Sequence, residues 1–162
     1  MANPAYHLAQ INIARIQAPL DDPSMKDFVD NLQKINALGH DTPGFVWQLL
    51  SEEGDSTAFR VFDDERIIIN MTVWESVEAL FEFSYRSEHV EFFRRRREWF
   101  AKLDQVYLAL WWIPAGHHPT PEEAKEKLAY LEAHGPTPLA FTFKQRFTIE
   151  EMLAAVQKSS GD

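Results

Sequence analysis

From Ser84 to Phe100 the chain reads SYRSEHVEFFRRRREWF, an apolar helical pattern that carries a histidine and an arginine. At about 100° per residue, His89, Phe92, Phe93, Arg96, Trp99, Phe100 and Leu103 share one side of a helix, within roughly 120°. An imidazole there can serve as acid, base or metal ligand, or can be a half-buried ring bonded to backbone or a nearby glutamate. Two helical turns further on, Arg96 can bracket an anionic group together with His89, or be neutralised internally by Asp104 or Glu75. A buried guanidinium without a partner is costly, so one of the two must hold. The neighbouring arginines of the run Arg94 to Arg97 point in different directions and form no common basic face.

Amides make up a second set. Gln10 and Asn12 fall in one predicted strand and Asn70 in another, where such side chains are poor strand formers. They indicate either a hydrogen-bond network or a bound polar group. Trp47, Trp74, Trp111 and Trp112, with Tyr85 and Tyr107, offer flat faces to a planar ligand or fill the core. His117 and His118 are adjacent, which seldom closes on one ion, and no HExxH or His-x-His pair accompanies them, so no metal site is predicted. Phosphate loops, a dinucleotide fingerprint and a GxSxG elbow are also missing from the sequence.

Strands and helices must position these groups. Leu8 to Ile16 alternates as a strand, with Ala9, Ile11 and Ile13 on one face and Leu8, Gln10, Asn12 and Ala14 on the other. A helix follows, capped by Asp22 or Ser24 and ending near Gly39. Phe45 to Leu50 is the second strand, and Ile67 to Trp74 the third, sharing Ile68, Asn70, Thr72 and Trp74 on one face. Residues 51–66 form a long connection with extra strand at AFRVF. Ser76 caps a helix through Val77, Leu80 and Phe81, followed by a helix from Tyr85 to Leu103. Val106 to Ile113 is a strand covered on both faces. Thr120, Pro121 and Glu123 open a helix to about His134. Leu139 to Phe143 is a fifth strand, and Ile149 to Val156 a last helix.

This β-α-β-β-α-β order predicts an α+β fold: a split βαβ antiparallel sheet with helices on one face and extra C-terminal helices. The face away from the helices is expected to collect Gln10, Asn12, Gln48, Asn70 and Thr72 with Trp74, Tyr107 and Trp111, as a pocket or a subunit interface.

At 162 residues, 45% hydrophobic, the chain is expected to be one domain over 1–162, with its core at 7–147 and a C-terminal helix and tail at 148–162. A formal charge of −9 opposes nucleic-acid binding. With no cysteine, there are no disulfides or thiolate chemistry. Lacking a signal-like N-terminus or a bilayer-length apolar run, the chain reads as a soluble cytoplasmic protein without a membrane partner.

The segment TVWESVEALFEFSYRSEH resembles the signature of the dimeric α+β barrel superfamily that includes antibiotic-biosynthesis-monooxygenase-like proteins. With HLAQINIAR, GFVWQL, NMTVWES, the RRRREWF helix, LWWIPAGHHPTPEEA and GPTPLAFTF, the chain more closely resembles a bacterial domain-of-unknown-function family within it. The resemblance implies a ferredoxin-like subunit that forms a homodimer through its sheets and keeps a small-molecule pocket between sheet and helices. Members include cofactor-independent monooxygenases and haem-degrading monooxygenases. By similarity, Asn12, Trp74 and His89 match the Asn, Trp and His of haem-degrading members, which makes haem, with His89 as axial ligand, the alternative to a cofactor-free enzyme. In the cofactor-free reading His89 is base or proton donor, Asn12 and Gln10 orient an oxygen, and Arg96 holds an anionic group. A noncatalytic ligand-binding or assembly protein is the third expectation.

Overall fold

A computed structural model describes residues 5–19, 21–49, 67–86, 96–101 and 106–160. The elements in chain order are β1 (Tyr6–Ile16), a 3-10 turn (Pro23–Met25), α1 (Lys26–His40), β2 (Phe45–Gln48), β3 (Ile67–Trp74), α2 (Val77–Arg86), α3 (Arg96–Trp99), β4 (Phe100–Ala101), β5 (Leu108–Pro114), α4 (Pro121–His134) and α5 (Ile149–Ser160). All pairings are antiparallel. The sheet runs β2-β3-β1, with β4 and β5 side by side on the far edge of β1. This is the split βαβ order expected from the sequence.

Local chemistry accounts for the element ends. The Asp22 carboxylate accepts from Ser24 N and holds the turn that starts α1, and those bonds keep its pKa below the usual aspartate value. Ser76 Oγ accepts from Ala79 N at the start of α2. Thr120 caps α4 with Pro121 in its first turn, and Gly135 closes that helix at φ 73°.

Three expectations are corrected. The helix expected to run to Leu103 ends at Trp99, because Phe100 and Ala101 pair with Ile16 and Arg15 of β1. Leu139 to Phe143 is not a full strand: Phe141 makes one antiparallel bridge to Leu110, which closes the outer edge of β5 at that point. Third, helices cover both faces of the sheet. The 3-10 turn, the start of α1, and α2 lie on the face of Leu8 and Ile16, while Ala124, Leu128 and Leu131 of α4 share one apolar cluster with Ala9, Ile11, Met71 and Trp111 on the other. After α4 the chain returns round the β5 edge and places Phe141 and Phe147 back on the first face. Trp112 Nε1 donates to Phe147 O, and the Arg146 guanidinium lies over the rings of Phe81 and Phe143.

The α4 side is closed within one chain, with Ala9, Ile11, Met71 and Ala109 all at 0% exposure. Two sheets therefore cannot pair through this face without displacing the packing already there. Lys127 of α4 donates to Leu139 O at 3.2 Å, and burial holds its pKa below the usual lysine value against the opposing pull of Glu123 and Glu126. No described helix is long and apolar enough to cross a membrane.

Two substitutions test this packing. Leu128→Ala should cost about 2–5 kcal/mol in urea denaturation, through lost burial and a residual cavity; a loss near zero would mean that α4 is not part of the core. Gly44 has φ 90° and faces the methyl of Ala79, and its carbonyl accepts from Glu75 N. Gly44→Ala combines a left-handed backbone with a clash, and should lower stability by about 2 kcal/mol or more.

Candidate functional site

Because strand side chains alternate and the register is fixed, the residues on the α2 side of the sheet line up in rows. The first row is Phe45, Trp74, Leu8 and Trp112, the second Gln48, Thr72, Gln10 and Leu110, the third Asn70, Asn12 and Leu108, and the fourth Ile68 and Ala14. Val77, Leu80 and Phe141 pack on the first row. Met25, Phe28 and Trp99 pack around Ile68 and Ile16 at the opposite end. The middle rows are polar. Gln10, Thr72 and Gln48 in the second are buried at 4, 8 and 8% exposure, whereas in the third Asn12 is exposed and Asn70 and Leu108 are half-buried.

Asn12 lies on β1, which is hydrogen-bonded on both sides, so its exposure cannot come from a sheet edge. Among the described residues, none is found packed on its side chain. Two apolar clusters of described residues thus flank a polar strip at Asn12 and Asn70, the candidate site.

The buried second row fixes how that strip is presented. Trp74 Nε1 donates to Thr72 Oγ1 at 2.8 Å. Gln10 Nε2 donates to the same oxygen at 3.0 Å and, less closely, to Asn70 Oδ1 at 3.4 Å. An indole N–H can only donate, so Thr72 must accept there. Both amide hydrogens of Gln10 are then committed and Oε1 is its remaining acceptor. Asn70 has its oxygen engaged, which leaves its NH2 group as the end offered beside Asn12. Such a strip can donate to a carbonyl or other electron-rich oxygen of a ligand.

A family model matches residues 7–157, that of a domain of unknown function, DUF3291. The chain is a member of the DUF3291 family. No curated protein matches it. Among solved structures it is similar to SnoaB, a cofactor-independent oxygenase from Streptomyces nogalater, at 14% identity, over 72% of this chain and 99% of that one, with a TM-score of 0.47. It is also similar to PA3566 from Pseudomonas aeruginosa, at 13% identity, 71% and 99% coverage and TM-score 0.46. A third is the monooxygenase of ActVA-Orf6 from Streptomyces coelicolor in complex with nanaomycin D, at 13% identity, 74% and 96% coverage and TM-score 0.43.

In this DUF3291 chain the candidate residues divide. Gln10, Asn12, Asn70 and Trp74 come together, on the α2 side of the sheet rather than on the face away from the helices as the sequence suggested. Trp74 serves the site from within. Its ring is edge-on to Phe45 at 5.4 Å, stacked on Phe83 at 5.4 Å and 0% exposed, so it offers no flat face to a ligand. Trp47 and Trp111 lie on the α4 side and do not join the amides. There Trp47 stacks on His118 at 4.6 Å, and Trp111 Nε1 donates to Glu123 Oε2, whose other oxygen meets His117 Nε2 at 2.8 Å. Tyr107 is 53% exposed and its carbonyl accepts from Ile13 N, which by strand alternation places it beside Ile13, on the face away from Asn12 and Leu108. His89 lies outside the described residues, as do the side chains of Tyr85 and Arg96.

One residue escaped the sequence reading. His40 closes α1, and its Nε2 meets Gln48 Oε1 at 2.9 Å while its ring stacks on Phe45 at 4.5 Å. The contact depends on the turn at residues 41–44, and no spacing rule announces it.

The network carries a clear expectation. Thr72→Val keeps the shape but deprives two donors of their acceptor, and should destabilise by about 1–3 kcal/mol in urea denaturation, whereas Thr72→Ser should stay within about 1 kcal/mol of the native chain. Equal stability of the two variants would contradict the bonding described.

Proposed function

We propose that this chain binds a small organic molecule over Asn12 and Asn70 and acts on it as a cofactor-independent, monooxygenase-like enzyme. The observation that carries the reading is an exposed asparagine at the centre of a doubly paired strand, beside a buried network that presents an NH2 group. A soluble domain has little reason to keep amides there unless something polar meets them.

Without a cofactor the electrons for dioxygen must come from the substrate, which therefore needs an acidic carbon next to a carbonyl or within a phenolic ring system. Loss of a proton gives a carbanion that reacts with O2. A CH2 group becomes a carbonyl, one oxygen atom stays on that carbon and the other leaves as water with both hydrogens. Asn12 and Asn70 hold the substrate oxygen on which the carbanion charge is delocalised, and Gln10 fixes Asn70. His89 is assigned the base and Arg96 an anionic substituent, both from the sequence pattern. No step passes through haem: Trp74, matched by resemblance to a haem-degrading set, has its ring and N–H committed inside the protein.

Dithranol, an anthrone, is a suitable probe. The purified chain should accelerate oxygen uptake and formation of the corresponding anthraquinone, and Asn12→Ala and Asn70→Ala should each lower the rate on the order of 10²-fold. Binding without oxygen uptake above buffer would favour a noncatalytic ligand-binding protein. Neither binding nor uptake would sink the proposal for this substrate class.

A further inference from the structure

The middle rows on the α2 side of the sheet share a sidedness. In the second row Gln48, Thr72 and Gln10 stand on β2, β3 and β1, and the β5 member is Leu110. In the third Asn70 and Asn12 stand on β3 and β1, and the β5 member is Leu108. The change from amide and hydroxyl to hydrocarbon therefore falls between β1 and β5 in both rows. Leu110 is committed to the core: it is 0% exposed, shares a cluster with Leu8 and Trp74, and exchanges backbone hydrogen bonds with Phe141 at 2.9 Å. Leu108 is placed differently. It is half-buried, and it joins none of the three apolar clusters of described residues.

Register sets the distances. Side chains directly opposite one another on paired strands have Cβ atoms about 5 Å apart, so the third row presents two amides and then a leucine across about 10 Å. Asn12, exposed, stands between Asn70 and Leu108. A ring system lying across that row meets hydrogen-bonding groups under one edge and hydrocarbon under the other. An oxygen over Asn12 or Asn70 exchanges water for an amide. An oxygen over Leu108 gives up water and receives nothing, which costs roughly five- to hundredfold in affinity. The two edges of the ligand are not interchangeable.

We propose that Leu108 is a specificity-determining residue: it orients the ligand with its oxygens over β1 and β3 and its hydrocarbon edge over β5, and it excludes rings that carry oxygens on both edges. The inference rests on reading Asn12 and Asn70 as the ligand site, and it narrows the substrate class to fused rings whose hydrogen-bonding oxygens lie along one long edge. Dithranol has that form. Its two hydroxyls and its carbonyl share one edge, and its CH2 group lies on the opposite one, which this orientation turns toward Leu108.

Two isomers of equal size test the assignment: 1,8-dihydroxynaphthalene carries both hydroxyls on one long edge, and 1,5-dihydroxynaphthalene carries one on each. Titrated without oxygen and followed by naphthol fluorescence, the native chain should bind the 1,8 isomer roughly tenfold more tightly. Leu108→Asn should bring the two within about threefold by strengthening the 1,5 isomer, a gain that misfolding cannot produce, and Leu108→Met should keep the native ratio. In the native chain, NOEs should join the Leu108 methyls to the ring hydrogens at positions 4 and 5 of the 1,8 isomer, which lie opposite its oxygens. Equal affinity for the two isomers, a ratio that Leu108→Asn leaves unchanged, or Leu108 contacts with the hydrogens beside the oxygens would overturn the assignment while the ligand site stands. Binding of dithranol but of neither isomer would overturn it as well. If none of the three binds, the reading of the site fails and the assignment falls with it.

Discussion

The structure depends on the two-sided pairing of β1. Its register with β3 and with β5 places Gln10 against Thr72 and Leu110, and Asn12 against Asn70 and Leu108. Since side chains alternate strictly, a slip of one residue in either ladder would send the amides to the face where Ala9, Ile11 and Ile13 pack under α4. Buried amides among those side chains would be left unpaired, at a cost of about 1–3 kcal/mol for each group. The hydrophobic face of β1 and its polar face thus enforce the same register, and that register assembles the site.

Packing then divides the helix-side face. One apolar cluster forms where Val77, Leu80 and Phe141 meet Leu8 and Trp74, and another where Met25, Phe28 and Trp99 meet Ile16 and Ile68. The polar rows lie between. Trp74 links the parts, since its ring belongs to the first cluster while its N–H anchors Thr72 in the network. Apolar clusters at both ends hold a short polar strip whose buried row is hydrogen-bonded through Thr72 and Gln10, with Asn12 exposed beside it. This division of labour is what a preorganised recognition site requires.

Much of this arrangement was legible in the residues. The span Ile67–Trp74 was readable because β-branched residues alternate between clear breaks, and α4 because Thr120, Pro121 and Glu123 form an N-terminal signature. The pairing of Gln10 with Asn12 on one face followed from alternation alone. Which face the helices cover did not, because a period of two defines two faces without ranking them. Trp111 was grouped with the amides because β5, LALWWIP, is apolar almost throughout and carries no polar mark to set its register. The turn into β4 was hidden because Trp99 and Phe100 satisfy a helical stripe as readily as a sheet contact with Ile16. His40 was invisible for a different reason: its value comes from a partner reached only after the chain reverses.

The central claim is that ligand meets the sheet at Asn12 and Asn70 on the α2 side, and not among the aromatic side chains on the α4 side. A titration with 1,8-dihydroxyanthraquinone, followed through side-chain amide and indole N–H signals, tests it most directly. The Asn12 and Asn70 amides should shift with saturation while the Trp47 and Trp111 indoles stay in place. Shifts at Trp47 and Trp111 with none at the two asparagines would contradict the account.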